Sequence, residues 1–200
     1  MTRPSTSRAL AAAVLALLPM TLHAHPTPVP DVPAGLEVQS GHKPFLVGHA
    51  VGTQNYVCLP STMTESGVAW TLFGPQATLF DDRDRQIITH FFSPDPNATA
   101  RATWHHSDDS STVWAARREQ SSDPDYVDPD AIPWFLLEVK VTQDGPTGGD
   151  KLSETTFLQR ISTVGGKAPA TGCETTGNLG ATRFVPYEAD YVFYRPLRRP

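Results

Sequence analysis

A chain of 200 residues has room for one domain with a terminal tail. Its formal charge of −5 excludes a general nucleic-acid binder, which needs a basic face for phosphate. Nineteen prolines and 14 glycines favour short elements joined by many turns over a helical bundle, yet fall short of the fraction that marks disorder.

Arg3 and Arg8 open the chain without an acidic neighbour, and Ala9 to Leu18 is an unbroken apolar run. Pro19 ends the run, and Leu22-His23-Ala24 supplies a small residue for cleavage. This is the three-part pattern of a secretory signal peptide over residues 1–24. The run is about half as long as a bilayer-spanning helix. No later segment is long and apolar enough to span, so the expectation is a secreted or periplasmic product starting at His25. After the signal, Cys58 and Cys173 are the only cysteines. In an oxidising compartment one disulfide between them is the economical reading. The alternative, two free thiols in redox or metal chemistry, lacks a C-x-x-C pair.

Residues 25–35 carry four prolines and predict an extended, poorly packed leader. From Leu36 the pattern turns to short apolar stretches and turn chemistry, forming a single domain over 36–197. Thr53 to Cys58 reads as a strand, and Val68 to Phe73 and Ala77 to Phe80 as two more, with Gly74-Pro75 as the break. Asp81 to Asp84 is a charged turn before the strand Gln86 to Phe92. Ala102 to His105, the turn Ser107 to Ser111, and Thr112 to Arg118 form a hairpin. Glu119 to Pro133 is a long acidic surface loop. In the next hairpin Leu137, Val139 and Val141 share one face, and Glu138 and Lys140 the other. On its second strand Thr155, Phe157, Gln159 and Ile161 oppose Thr156, Leu158, Arg160 and Ser162. Such alternation implies a sheet with one packed face and one wetter face. Thr182 to Val185 and Ala189 to Tyr194 end the chain as strands around Pro186-Tyr187. No long 3.6-residue period follows residue 24. The fold class is therefore all-β: an antiparallel sandwich or barrel of about ten short strands, preceded by a signal peptide.

Six ordered phrases carry a family resemblance: Gly48 to Cys58, Trp70 to Asp81, Thr89 to Phe92, Ile132 to Leu137, Gln159 to Pro169 and Val185 to Tyr194. Collinear from about Leu36 to Arg195, they resemble the domain-of-unknown-function family numbered 3455, small exported proteins of bacteria and fungi. The chain departs at Asp108-Asp109-Ser110, where the family tends to show Asp-Gly-Ser. The resemblance implies no established activity, catalytic residue or cofactor. Some fungal relatives carry a malate dehydrogenase label, but this chain has neither a G-x-G-x-x-G turn after a strand nor βαβ alternation.

Candidate chemistry is sparse. His25 as a mature N-terminus, with His90 or His105, has the makings of a copper brace like that of lytic polysaccharide monooxygenases, but it heads a mobile leader. His105 and His106 face opposite ways in a strand and cannot share one metal. The acids at 81–84 and 123–130 lie in a turn and a loop, without the register of a calcium loop. No metal site or cofactor is assigned. Trp104, His106 and Arg117 are candidates for a ligand-stacking patch, weighed against a core role for Trp104. His90 is a core or rim histidine by default, and an acid–base group in the enzyme reading. Arg160, if buried, needs a carboxylate such as Glu138 or Asp190.

Three functions follow. The first is non-catalytic binding of a ligand, glycan or envelope component, with His90, Trp104 and Arg160 as ligand-binding candidates. The second is an enzyme with an unrecognised site around His90, and the third a structural surface protein. A concave pocket holding His90 beside a carboxylate favours the enzyme. A flat aromatic patch favours the binder.

Overall fold

Eight strands form from the alternating segments: β1 His42–Pro60, β2 Val68–Phe80, β3 Gln86–Pro94, β4 Ala100–His106, β5 Thr112–Ser121, β6 Trp134–Gln143, β7 Phe157–Gly165 and β8 Thr182–Pro196. The computed structural model describes residues 27–197; the signal-peptide reading of 1–24 and the copper reading of His25 lie outside the described residues. Each strand pairs antiparallel with the next, and β8 returns to β1, so the sheet closes as a barrel. Closure removes both sheet edges.

The strands are fewer and longer than expected. Gly74-Pro75 does not break β2. The register steps from Asn55–Gly74 to Tyr56–Leu72, leaving Phe73 as the extra residue of a bulge that bends the strand without ending it. Pro186 likewise stays within β8, paired with Thr53. At Gly52 a Cβ would collide with the backbone of Gln76 and Ala77, so glycine allows β1 and β2 to approach closely there.

Every strand sends apolar side chains into one interior cluster. It includes Ala50, Leu79, Ile88, Trp104, Val113, Leu137, Leu158 and Phe193. Exposed strand positions include charged Lys140 and Glu188 as well as apolar Val51, Val164 and Phe184. Among the described residues no helix is long and apolar enough to cross a membrane.

β7 departs from the one-wet-face expectation, because Phe157 to Ile161 are all buried. Leu158 faces the interior, whereas Phe157 and Ile161 join a second cluster outside the wall with Leu36, Val127, Ala131, Trp134, Leu136 and Val192. Two segments cover that outer face. One is the end of the Pro-rich stretch, where Pro33 is buried, Val32 packs on the cluster and Leu36 O accepts Gln159 Nε2 at 2.7 Å. The other is the acidic loop before β6, which buries Val127 and Ala131. Neither is the loose surface segment its composition suggests, since each contributes a few apolar residues to a shared core.

The turn at Asp108-Asp109-Ser110 is built around a carboxylate. Asp109 accepts from Ser111 N (3.1 Å), Ser111 Oγ (2.7 Å) and Lys151 N (2.9 Å). Ser110 takes a left-handed φ of 60°. Burial pushes the Asp109 carboxyl up, but the hydrogen bonds from Lys151 and Ser111 outweigh it and hold it at about 2. Asp109 thereby ties the β4–β5 turn to the β6–β7 loop. Asp109→Ala leaves those donors unpaired and is expected to cost about 2 kcal/mol in chemical denaturation at pH 7. The wild-type contribution is present above the ordinary carboxyl range and lost as pH falls through about 2. An unchanged midpoint would remove Asp109 from the fold's supports.

Candidate functional site

The three candidates meet inside the barrel. His90 on β3 pairs directly with Trp104 on β4, and on the far side of the closed sheet Arg160 on β7 pairs with Tyr191 on β8 and with Phe135 on β6. All five side chains line a cavity of ≈ 240 Å³. Gln54 from β1 joins them, and Leu72 and Phe92 also line it, each less than half exposed.

His90 stacks on Trp104, with ring centroids 4.2 Å apart and planes 12° apart, and Tyr191 tilts against both rings. His90 Nδ1 lies 2.8 Å from Thr103 O. A carbonyl only accepts, so Nδ1 carries the proton and Nε2 keeps a lone pair. Burial, offset in part by that hydrogen bond and reinforced by the charge of Arg160, pulls the imidazole down to about 3. His90 is therefore neutral at ordinary pH, an acceptor at Nε2 and a weak base. Burial raises the phenols of Tyr187 and Tyr191, which stay protonated.

Arg160 is 8% exposed and carries no ion pair among the described residues. This corrects the expectation of a carboxylate partner. Asp190 lies on the other wall face, bound to His49 Nδ1 at 2.6 Å, and Glu138 pairs with Lys140 at 2.9 Å. The guanidinium instead lies 3.7 Å above the Phe135 ring and donates through Nη2 to Pro133 O at 2.7 Å. Arginine cannot shed its proton to escape burial, so the cavity wall holds a fixed positive charge.

Four buried side-chain polar atoms lack a partner among the described residues: Gln54 Nε2, Trp104 Nε1, Arg160 Nε and Trp134 Nε1. The first three belong to cavity-lining residues, and all three are donors. Buried donors nearly always find acceptors, so three around one cavity are unusual. Among the described residues, no acidic side chain lines it.

Arg117 also lines the cavity, but His106 does not. His106 sits at the hairpin end, 3.2 Å from Asp109, so the expected patch of Trp104, His106 and Arg117 does not form as a unit. Trp104 is fully buried. Gln54 and Phe135 were not among the sequence candidates. The available signal for Gln54 was a polar residue in step with Ala50 and Tyr56 on an otherwise inward-facing set. At the outer end of β1, Cys58 and Cys173 form a disulfide with Cα atoms 5.5 Å apart. Among the described residues no group of His, Cys, Asp and Glu could hold a metal ion.

Fold and cavity together define a class: a small up-and-down β-barrel with an internal, aromatic-walled pocket. A family model described as Protein of unknown function (DUF3455) matches residues 39–195, and the chain belongs to this family. No curated protein and no solved structure matches it.

Proposed function

We propose that this is an exported, non-catalytic barrel that binds a small molecule in its interior. The observation that carries the reading is the cavity itself: a concave, largely apolar space with Arg160 in its wall and no carboxylate against that charge among the described residues, beside which Gln54 Nε2, Trp104 Nε1 and Arg160 Nε are buried without partners. Ligand pockets commonly combine an apolar lining with a few placed polar groups, and this cavity has both. An apolar lining that runs from buried Pro75, Ala115 and Leu137 to half-exposed Leu72 suits an apolar body better than a glycan. The pocket is concave, the feature expected of an enzyme, but His90 has no carboxylate partner and is a poor base. These features support binding inside the barrel over an acid–base site at His90 or a flat surface patch. The Cys58–Cys173 disulfide supports an oxidising, extracytoplasmic location.

The test is titration of the purified protein with N-phenyl-1-naphthylamine, a neutral fluorophore that brightens in apolar surroundings. One saturable site is expected. Ala102→Trp, which fills the cavity from β4, should weaken it at least about tenfold. Binding equally tight to the filled variant, or no binding at all, would place the function elsewhere.

A further inference from the structure

We infer that the cavity selects a small organic monoanion, a carboxylate on an apolar body, with Arg160 as the residue that reads the charge. This rests on the interior-binding reading and adds the ligand's chemistry to it.

Charge is the first argument. The chain as a whole is acidic at −5, yet among the described residues the cavity is lined by Arg101, Arg117 and Arg160 and by no acid. Of these, Arg101 is already matched, since its Nε donates to the buried Asp95 carboxylate at 2.7 Å. Arg117 donates to the neutral Gln120 side chain, also at 2.7 Å. Arg160 is the most deeply placed of the three and meets no carboxylate among the described residues. An anion in the cavity would offset a charge that the wall otherwise carries alone.

Geometry is the second. Phe135 covers one face of the guanidinium, and Pro133 O takes one Nη2 hydrogen. The Tyr191 hydroxyl is a further side-chain hydrogen-bond partner of the guanidinium, and Nε–H lies buried without a partner among the described residues. A guanidinium edge presents parallel N–H groups, and the two oxygens of a carboxylate match that fork.

Size is the third. At ≈ 240 Å³ the cavity holds the volume of about eight water molecules. That admits a single charged head and a short body and excludes a nucleotide or oligosaccharide. Leu72 (41% exposed) and Phe92 (45% exposed) line the cavity and reach solvent. An apolar tail longer than the cavity leaves past these two side chains.

The experiment compares octanoate with octanamide, which share chain length and head-group shape but differ in charge and in one oxygen replaced by NH2, by calorimetric titration of the full folded protein at pH 7. Octanoate is expected to bind at least about tenfold tighter. Arg160→Met should erase the preference for octanoate over octanamide, while Arg160→Lys retains part of it. The wild-type comparison stands even if Arg160→Met fails to fold. Equal affinity for the two compounds overturns the anion assignment while leaving interior binding intact. Failure of octanoate to bind overturns it too, and a silent response to the neutral fluorophore would then overturn interior binding as well.

Discussion

Lowering the pH from 6.5 towards 3 is expected to strip roughly 5 kcal/mol from the stability of this barrel through His90 alone. The sign follows from burial. In the folded protein the imidazole is 3% exposed, donates to Thr103 O and sits near the fixed charge of Arg160, so its affinity for a second proton is low. In the unfolded chain it protonates near 6.5. The folded value is the depressed one, so the contribution is complete above 6.5. It is lost as pH falls from 6.5 to about 3, where both states are charged. Asp95 and Asp109, whose carboxyls are also held low, lose stability further down the scale. Comparison with His90→Gln isolates the histidine. The amide keeps a donor for Thr103 O but does not titrate. At pH 7 the variant should be less stable by about 1–2 kcal/mol, and by pH 4 it should be the more stable of the two. Denaturant midpoints measured across that range decide it: parallel curves for the two proteins would mean His90 does not enter the folded state neutral.

The all-β class was legible because β6 and β7 alternate cleanly and no helical period competes. Residues 42–52 were not legible as strand. His42, Lys43, Pro44, Gly48, His49 and Gly52 give no period-two contrast, yet this half of β1 is paired along its length with β8. Its order comes from tertiary pairing, not from local preference. The wet face expected for β7 failed for a related reason. Alternation tells which residues share a face, but not that a Pro-rich stretch and an acidic loop will be laid over the outer one.

The candidate site's residues were singled out by type and not by geometry. His90, Trp104 and Arg160 stood out as polar or amphipathic groups on apolar strands, and closure brings all three to one cavity. Closure is also what no strand reveals by itself. The register Arg160–Tyr191, with Ile161 opposite Asp190, sends the acid to the outer wall and leaves the arginine inside without it. A slip of one residue would have produced the expected ion pair and no cationic cavity. Phe135 faces Arg160 across the β6–β7 hairpin, whereas Gln54 lies on a strand far from the candidates in sequence and joins them only when the barrel closes.

Reduction of Cys58–Cys173 should lower stability by about 2–4 kcal/mol without abolishing the barrel. The residues are 115 apart, and the chain-entropy model assigns a loop of that length nearly 5 kcal/mol, of which measured cases commonly deliver less. Its position adds weight to the argument. Cys58 ends β1 and Cys173 precedes β8, so the bridge staples the seam at which first and last strands close the barrel. That pairing spans nearly the whole domain and carries the largest closure entropy. Most of residues 167–181 are exposed, and the connection is otherwise held by a few hydrogen bonds: Trp70 Nε1 donating to Thr171 O at 3.2 Å, Lys167 Nζ donating to Pro129 O, and the backbone pair that Cys58 makes with Gly180 and Ala181. Guanidinium titrations with and without reductant supply the measurement. The midpoint should fall, and the slope should steepen, because an unbridged denatured chain exposes more surface. A midpoint that does not move would mean that the hydrogen bonds between β1 and β8 hold the seam unaided. Slower refolding of the reduced chain is expected as well, since it must find that distant pairing without a covalent tie.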